Sequence, residues 1–301
     1  MTAPAETSLP PRDLIGYGRT RPRLSWPGGA RVAVSLVVNF EEGSELSVAD
    51  GDAAGESGKG GWDPTADQNF AYGARAGFRR VMDALAKHHR PATFYMCGRA
   101  IERLPELARE AVATGHEPAC HGWRWWAHAS YKDIGEERAD LTRCIEVSKA
   151  IIGERPYGFF CRGNESPATR GLLRELGFLY TSNAFDDDLP YWDKSGNAPL
   201  LVIPYSFESN DMRTAKPGGF VRAGDFSGYV ADALDALIAE GEAGAPKMLS
   251  IGLHIRTIGR PGHIGALHQI LAHLDALGDK VWVTRRLDIA KFWGEKFPPK
   301  S

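Results

Sequence analysis

Four short polar clusters each follow an apolar, strand-like run: Asn39-Phe40-Glu41-Glu42-Gly43, His121-Gly122-Trp123-Arg124-Trp125, Arg162-Gly163-Asn164-Glu165 and Leu253-His254-Ile255-Arg256. Between them they supply what acid–base chemistry needs: a carboxylate that can take a proton, oriented hydrogen-bond donors, and an imidazole that can give a proton. Glu41 or Glu42 is the candidate base, and burial among Phe40, Trp123 and Trp125 would raise its pKa because desolvation disfavours the carboxylate. His121 and His254 are the candidates for acid and oxyanion donor. Arg162 or Arg260 is suited to the polar edge of a substrate. Each cluster alone has a plainer explanation: solvated loop glutamates, a hydrogen-bonded core histidine, core tryptophans, a surface ion pair. Their shared position at strand ends gives them weight, since α/β barrels place their chemistry where the strands end.

The elements that must hold these clusters follow from the apolar pattern. Arg31–Phe40 is a β-branched run of the kind a strand buried on both faces requires. Residues 44–69 are rich in Gly, Asp and Ser without periodicity and read as a long loop over the strand ends. The spacing of Ala76, Phe78, Val81, Met82 and Leu85 predicts a helix over 72–88. Strands follow at 91–97, 117–120, 158–161, 178–182, 200–204, 247–253 and 280–284, with helices at 99–114, 136–152, 167–176, 225–240, 261–276 and 286–294. This alternation predicts an α/β fold: a distorted (β/α) barrel of about seven strands in one domain, residues 31–301, preceded by an extended arm, residues 1–30. Gly252, inside a predicted strand, marks a bulge or a close backbone approach.

Composition narrows the partners. The 301 residues carry 36 Lys and Arg against 38 Asp and Glu, a net charge of −2, so no sequence-wide field attracts nucleic acid or an anionic membrane. A small molecule is the expected partner. Cys97, Cys120, Cys144 and Cys161 form no CxxC pair, which argues against a zinc module and a disulfide scaffold. The N-terminal residues lack the pattern of a secretory signal and no 18-residue apolar run occurs, so a cytoplasmic location is expected.

The order of the motifs resembles that of the polysaccharide deacetylases (NodB type), and most closely the branch of metal-independent allantoinases of purine degradation and cyclic imide hydrolases. The resemblance spans nearly the whole chain. It is carried by the four clusters, by Asp186-Asp187-Asp188-Leu189-Pro190-Tyr191-Trp192, by Asn210-Asp211-Met212-Arg213, and by Lys247–His254. It implies a hydrolase that opens a cyclic amide, allantoin or a related hydantoin or imide, with no cofactor, in a homotetramer. The sugar deacetylases carry Asp-Asp where this chain has Glu41-Glu42, and a second metal-binding histidine where it has Trp125. Indole offers no lone pair to a metal. A site of Glu42, His121 and water falls short of the three protein ligands catalytic zinc usually keeps, unless His128 joins it. The expected site is therefore metal-free. The three aspartates invite a calcium reading; the resemblance implies instead a structural or substrate-edge role, with Asp187 touching substrate.

Overall fold

Val32–Phe40 form β1, a strand whose nine residues are all buried. In the computed structural model, which describes residues 12–58 and 60–299, β1 is the hub of one nine-stranded sheet. The others are β2 (Thr93–Met96), β3 (Glu117–Cys120), β4 (Gly158–Phe159), β5 (Tyr180–Thr181), β6 (Tyr191–Asp193), β7 (Leu200–Val202), β8 (Lys247–His254) and β9 (Val281–Val283). Their spatial order is β6-β7-β5-β4-β3-β2-β1-β8. Every pairing is parallel except that of β6 with β7. Because β8 runs beside β1 from Val32 to Asn39, β9 at Val32–Val34 and β2 at Val37–Phe40 share its other edge.

The sheet curls into the expected barrel, and its alternation sets the two cores. Val32, Val34, Leu36, Val38 and Phe40 face the helices Phe78–Lys87, Ala223–Glu242 and Ile264–Leu277. Ala33 and Val37 point into the barrel with Tyr95, Tyr180 and Tyr205, as a side-chain period of two dictates. Arg286 fills the interior below the mouth, donating to Ser182 Oγ, Ser250 Oγ and the carbonyls of Ile203 and Pro204. Its four partners satisfy a guanidinium that would otherwise be a prohibitive buried charge.

The segment after β7 lies along β8, where the Gly252 N–H donates to Ser209 O at 2.8 Å. A Cβ on Gly252 would meet Asn210 Nδ2 at 2.3 Å and Tyr205 Oη at 2.4 Å. The glycine is thus there for close approach.

Four expectations are revised. The stretch 44–69 is loop only as far as Asp63, whose Oδ1 accepts from Ala66 N and caps a helix over Pro64–Tyr72 with proline in its first turn. That helix runs through a π turn, Gly73–Gly77, into Phe78–Lys87; the glycines are needed because a Cβ on Gly77 would lie 2.0 Å from Ile255 O. The predicted helix 99–114 is two, Gly98–Arg103 and Pro105–Ala113, split by the proline. The short β6 lies in what reads as turn sequence.

The arm is not wholly extended. Residues 1–11 lie outside the described residues, but Trp26 is buried and its indole donates to Lys247 O at 2.8 Å. Among the described residues no helix is long and apolar enough to cross a membrane.

Candidate active site

Alternation places the chemistry. Val37, Asn39 and Glu41 share the barrel face of the first strand and its extension, so Glu41 projects inward and Glu42 toward the helix layer. Ala119 faces inward and Cys120 packs with the outer cluster, so His121 projects inward as well. His254 ends β8, opposite Asn39.

Three side chains meet on Glu41, which is fully buried. Its Oε1 lies 3.1 Å from His121 Nε2 and 3.5 Å from His254 Nε2. Its Oε2 accepts from Arg256 Nη1. Both imidazoles are oriented from behind: His121 Nδ1 meets the Phe160 carbonyl and His254 Nδ1 meets Asp211 Oδ1 at 2.7 Å. A carbonyl or carboxylate oxygen accepts, so each Nδ1 carries a hydrogen and each Nε2 is turned toward Glu41. Asp211 is fixed in turn, its Oδ2 accepting from the N–H groups of His254 at 2.7 Å and Ile258 at 3.1 Å.

The two glutamates are pushed apart electrostatically. Burial opposes ionisation of Glu41, but Arg256, with His254 and His121, outweighs it and holds the carboxyl below the usual carboxylate range. For Glu42 burial prevails over Arg256, with the Glu41 charge adding to it, and its pKa is pushed up to about 8. Glu42 Oε2 accepts from Glu41 N at 3.0 Å, while its Oε1 has no hydrogen-bond partner. That oxygen sits where a Cβ on Gly73 would come within 2.3 Å. The two carboxyls are thus set apart, Glu41 toward the ionised form and Glu42 toward the neutral one.

Glu42 gives the first testable consequence. Its folded pKa stands above its unfolded one, so the folded state holds a proton that the unfolded state has lost. This contribution to stability is complete below about pH 4.5 and disappears as pH rises to about 8. Glu42→Gln keeps the group neutral. Denaturant titrations are expected to show the stability difference, variant minus wild type, growing by a few kcal/mol across that window; a constant difference would mean that Glu42 is ionised when folded.

The other expected site residues divide. Trp125 reaches the mouth, with the guanidinium of Arg162 3.8 Å above its ring, that of Arg256 at 4.8 Å, and Phe70 at 5.6 Å. Arg162 Nη1 donates to Glu56 Oε2 at 2.8 Å, one of several ties that hold the 44–63 loop over the strand ends. Arg124 Nη2 to Asp52 at 2.6 Å and Arg99 to Asp50 at 3.3 Å are others. Arg260 stacks on Tyr72 at 3.7 Å and donates to Asn69, behind Arg256.

Three residues lie elsewhere. Phe40 is next to Glu41 in sequence and so on the opposite face, packed on Phe78. Trp123 lies under Arg143, 3.5 Å from its ring, on the helix side. Asp187 stands in the run whose Asp188 carbonyl accepts from Met248 N near the start of β8, while His254 ends that strand. Seven residues of strand separate those ends by roughly 20 Å. Arg256 and Asp211 were not among the expected site residues, although both stand in motifs the sequence displays.

The donors do not fit the metal site of the sugar deacetylases. His121 offers one free nitrogen, Trp125 none, and His128 faces Glu137 at 2.9 Å and Tyr131 in the helix layer rather than His121. Arg256, within reach of Glu41 and 3.8 Å from Glu42 Oε1, already supplies a fixed positive charge there. Among the described residues no three His, Cys, Asp or Glu side chains converge as metal ligands.

A barrel with an acidic pair after its first strand, a histidine after its third and another ending its eighth defines a deacetylase-type hydrolase, and the chain belongs to the polysaccharide deacetylase family. That family's sequence model matches residues 63–181. A putative polysaccharide deacetylase of Schizosaccharomyces pombe is 33% identical over 96% of this chain and 99% of its own. Among solved structures, PuuE allantoinase is 41% identical with a TM-score of 0.91, covering 96% of this chain and 99% of that one. A probable polysaccharide deacetylase from Pseudomonas aeruginosa is as similar: 42% identical, TM-score 0.91, covering 96% and 100%.

Proposed function

We propose that this protein hydrolyses a cyclic amide, allantoin or a related hydantoin or imide, with water activated by Glu41 and without a metal ion. The observation that carries the reading is the buried ion pair of Glu41 with Arg256. Arg256 keeps Glu41 in its proton-accepting form and supplies a fixed positive charge beside it, and the full-length likeness to an allantoinase favours a ring as substrate. Water gives a proton to Glu41 as its oxygen bonds to the ring carbonyl carbon. The oxyanion needs a hydrogen-bond donor, and His121, whose Nδ1–H is committed to Phe160 O, supplies one from Nε2 in its doubly protonated form. The ring C–N bond then breaks as His254 Nε2, 3.5 Å from Glu41 Oε1, takes the water's proton from Glu41 and passes it to the departing nitrogen, while its Nδ1–H rests on Asp211. The product is a ring-opened carboxylate.

Enclosure favours a small substrate. Glu41, Glu42 and His121 have almost no solvent contact, which suits a compact substrate taken in whole better than a long polymer. Assembly into a homotetramer, expected on the resemblance, and the cytoplasmic location expected from the sequence patterning belong to the same proposal.

N-deacetylation of a sugar is the second reading, because the Pseudomonas aeruginosa structure is named for it. Steady-state assays on a panel of ureides and imides with a chelator present decide between them. Ring opening unaffected by chelator is expected; inert rings, with zinc-dependent release of acetate from an acetylated glycan, would overturn the proposal.

A further inference from the structure

We infer that the mouth carries an apolar subsite for a planar, aryl-type substituent, built by Phe160, Phe185 and Phe207; this rests on the ring-opening reading above and narrows its substrate class.

The observation is a continuous row of rings from the catalytic centre to solvent. His121, whose Nε2 faces Glu41, lies against Phe160 with ring centroids 5.3 Å apart and planes inclined by 11°. Phe160 meets Phe185 edge-on at 6.4 Å and Tyr205 at 4.7 Å. Phe185 then stacks on Phe207 at 3.8 Å and 15°. Phe160 is buried, whereas Phe185 and Phe207 are 39% and 54% exposed. All three follow the C-terminal ends of strands (β4, β5 and β7), the end at which His121 and His254 stand.

Large rings left half in water forgo the burial that normally stabilises them, and Phe185 and Phe207 reach His121 through Phe160 rather than standing scattered. The surroundings of Trp125 are different in kind: the guanidiniums of Arg162 and Arg256 lie 3.8 and 4.8 Å from its ring, with Glu56 on Arg162. A substrate held with its ring carbonyl at Glu41 and His121 therefore meets polar, charged groups beside Trp125 and the apolar edges and outer surface of the phenyl row. A planar apolar group fused to or carried by the amide ring gains offset or edge-on aromatic contacts there. A small polar substituent gains nothing from them.

The probes are succinimide and phthalimide, which share the scissile imide and differ by a fused benzene ring. With Phe207→Ala the phthalimide-to-succinimide ratio of kcat/KM is expected to fall about tenfold, and Phe207→Trp is expected to restore it. Using the ratio cancels any general loss of activity, and a half-exposed side chain is a mild change for the fold. A ratio unmoved by Phe207→Ala would overturn the subsite. So would an unmoved ratio accompanied by a changed oligomeric state in light scattering, which would give this face to a second copy of the chain. If the wild type opens neither ring, the imide option of the ring-hydrolase reading fails while allantoin is judged by the ureide assays, and calorimetric titration of both imides into wild type and Phe207→Ala decides the subsite by the same ratio in Kd.

Discussion

Glu41→Gln is expected to lower kcat by about 10³-fold or more, the upper range for loss of a positioned general base, whichever amide the protein hydrolyses. Glutamine nearly preserves size and can still accept from Arg256, but it cannot take a proton from water. The same change leaves Arg256 buried without its counter-charge. Removing one partner of a buried pair typically costs about 3–5 kcal/mol, and the surviving hydrogen bond places this variant toward the lower figure. Activity must therefore be measured where circular dichroism finds the variant folded. The acid limb of stability should change as well. Wild-type Glu41 is held below its ordinary pKa, so its contribution is present above about pH 4.5 and lost as pH falls; the variant lacks that part of the decline. Activity within tenfold of wild type would remove Glu41 from the role of base.

How far the sequence discloses this site depends on which physical rule is applied to it. The barrel, most of its strands and the convergence of four clusters follow from apolar runs and their polar ends. The rule of two then corrects what adjacency alone suggests. Phe40 follows Asn39 and precedes Glu41, both on the barrel face, so it must point at the helices; strand alternation is legible in the sequence and would have excluded it. Asp187 is different. Its run departs from the strand ends toward Met248, and no local pattern announces that a loop will descend along the barrel. Asp211 is hidden for a related reason, since its pairing with His254 spans 43 residues and depends on Gly252 admitting the 205–210 segment. Arg256 was visible as a charge two residues after His254. What the chain could not disclose is that the short helix Ile255–Ile258 turns this guanidinium back onto Glu41. The Gly73–Gly77 π turn, which brings the helix layer against Glu42, carries only its glycines as a signal.

Arg256→Met tests the other half of the pair and has a different signature. Without the guanidinium, burial of Glu41 is opposed only by the histidines, so its pKa rises. A base with a higher pKa is protonated over more of the acid range, and the acid limb of the kcat/KM profile should move to higher pH. Loss of activity is then greatest in acid, about 10²-fold or more, and is partly recovered as pH rises. Arg256→Lys, which keeps the charge but not the planar fork, should fall between. A uniform loss with the limb unmoved would mean that Arg256 serves packing on Phe70 and Trp125 and not the ionisation of Glu41. The stability costs of the two variants should also be unequal. Glu41 deprived of its partner can neutralise itself by taking a proton, whereas an arginine cannot release one. Arg256→Met should accordingly destabilise the fold less than Glu41→Gln at acidic pH, and the gap should close as pH rises and Glu41 is forced to ionise unpaired.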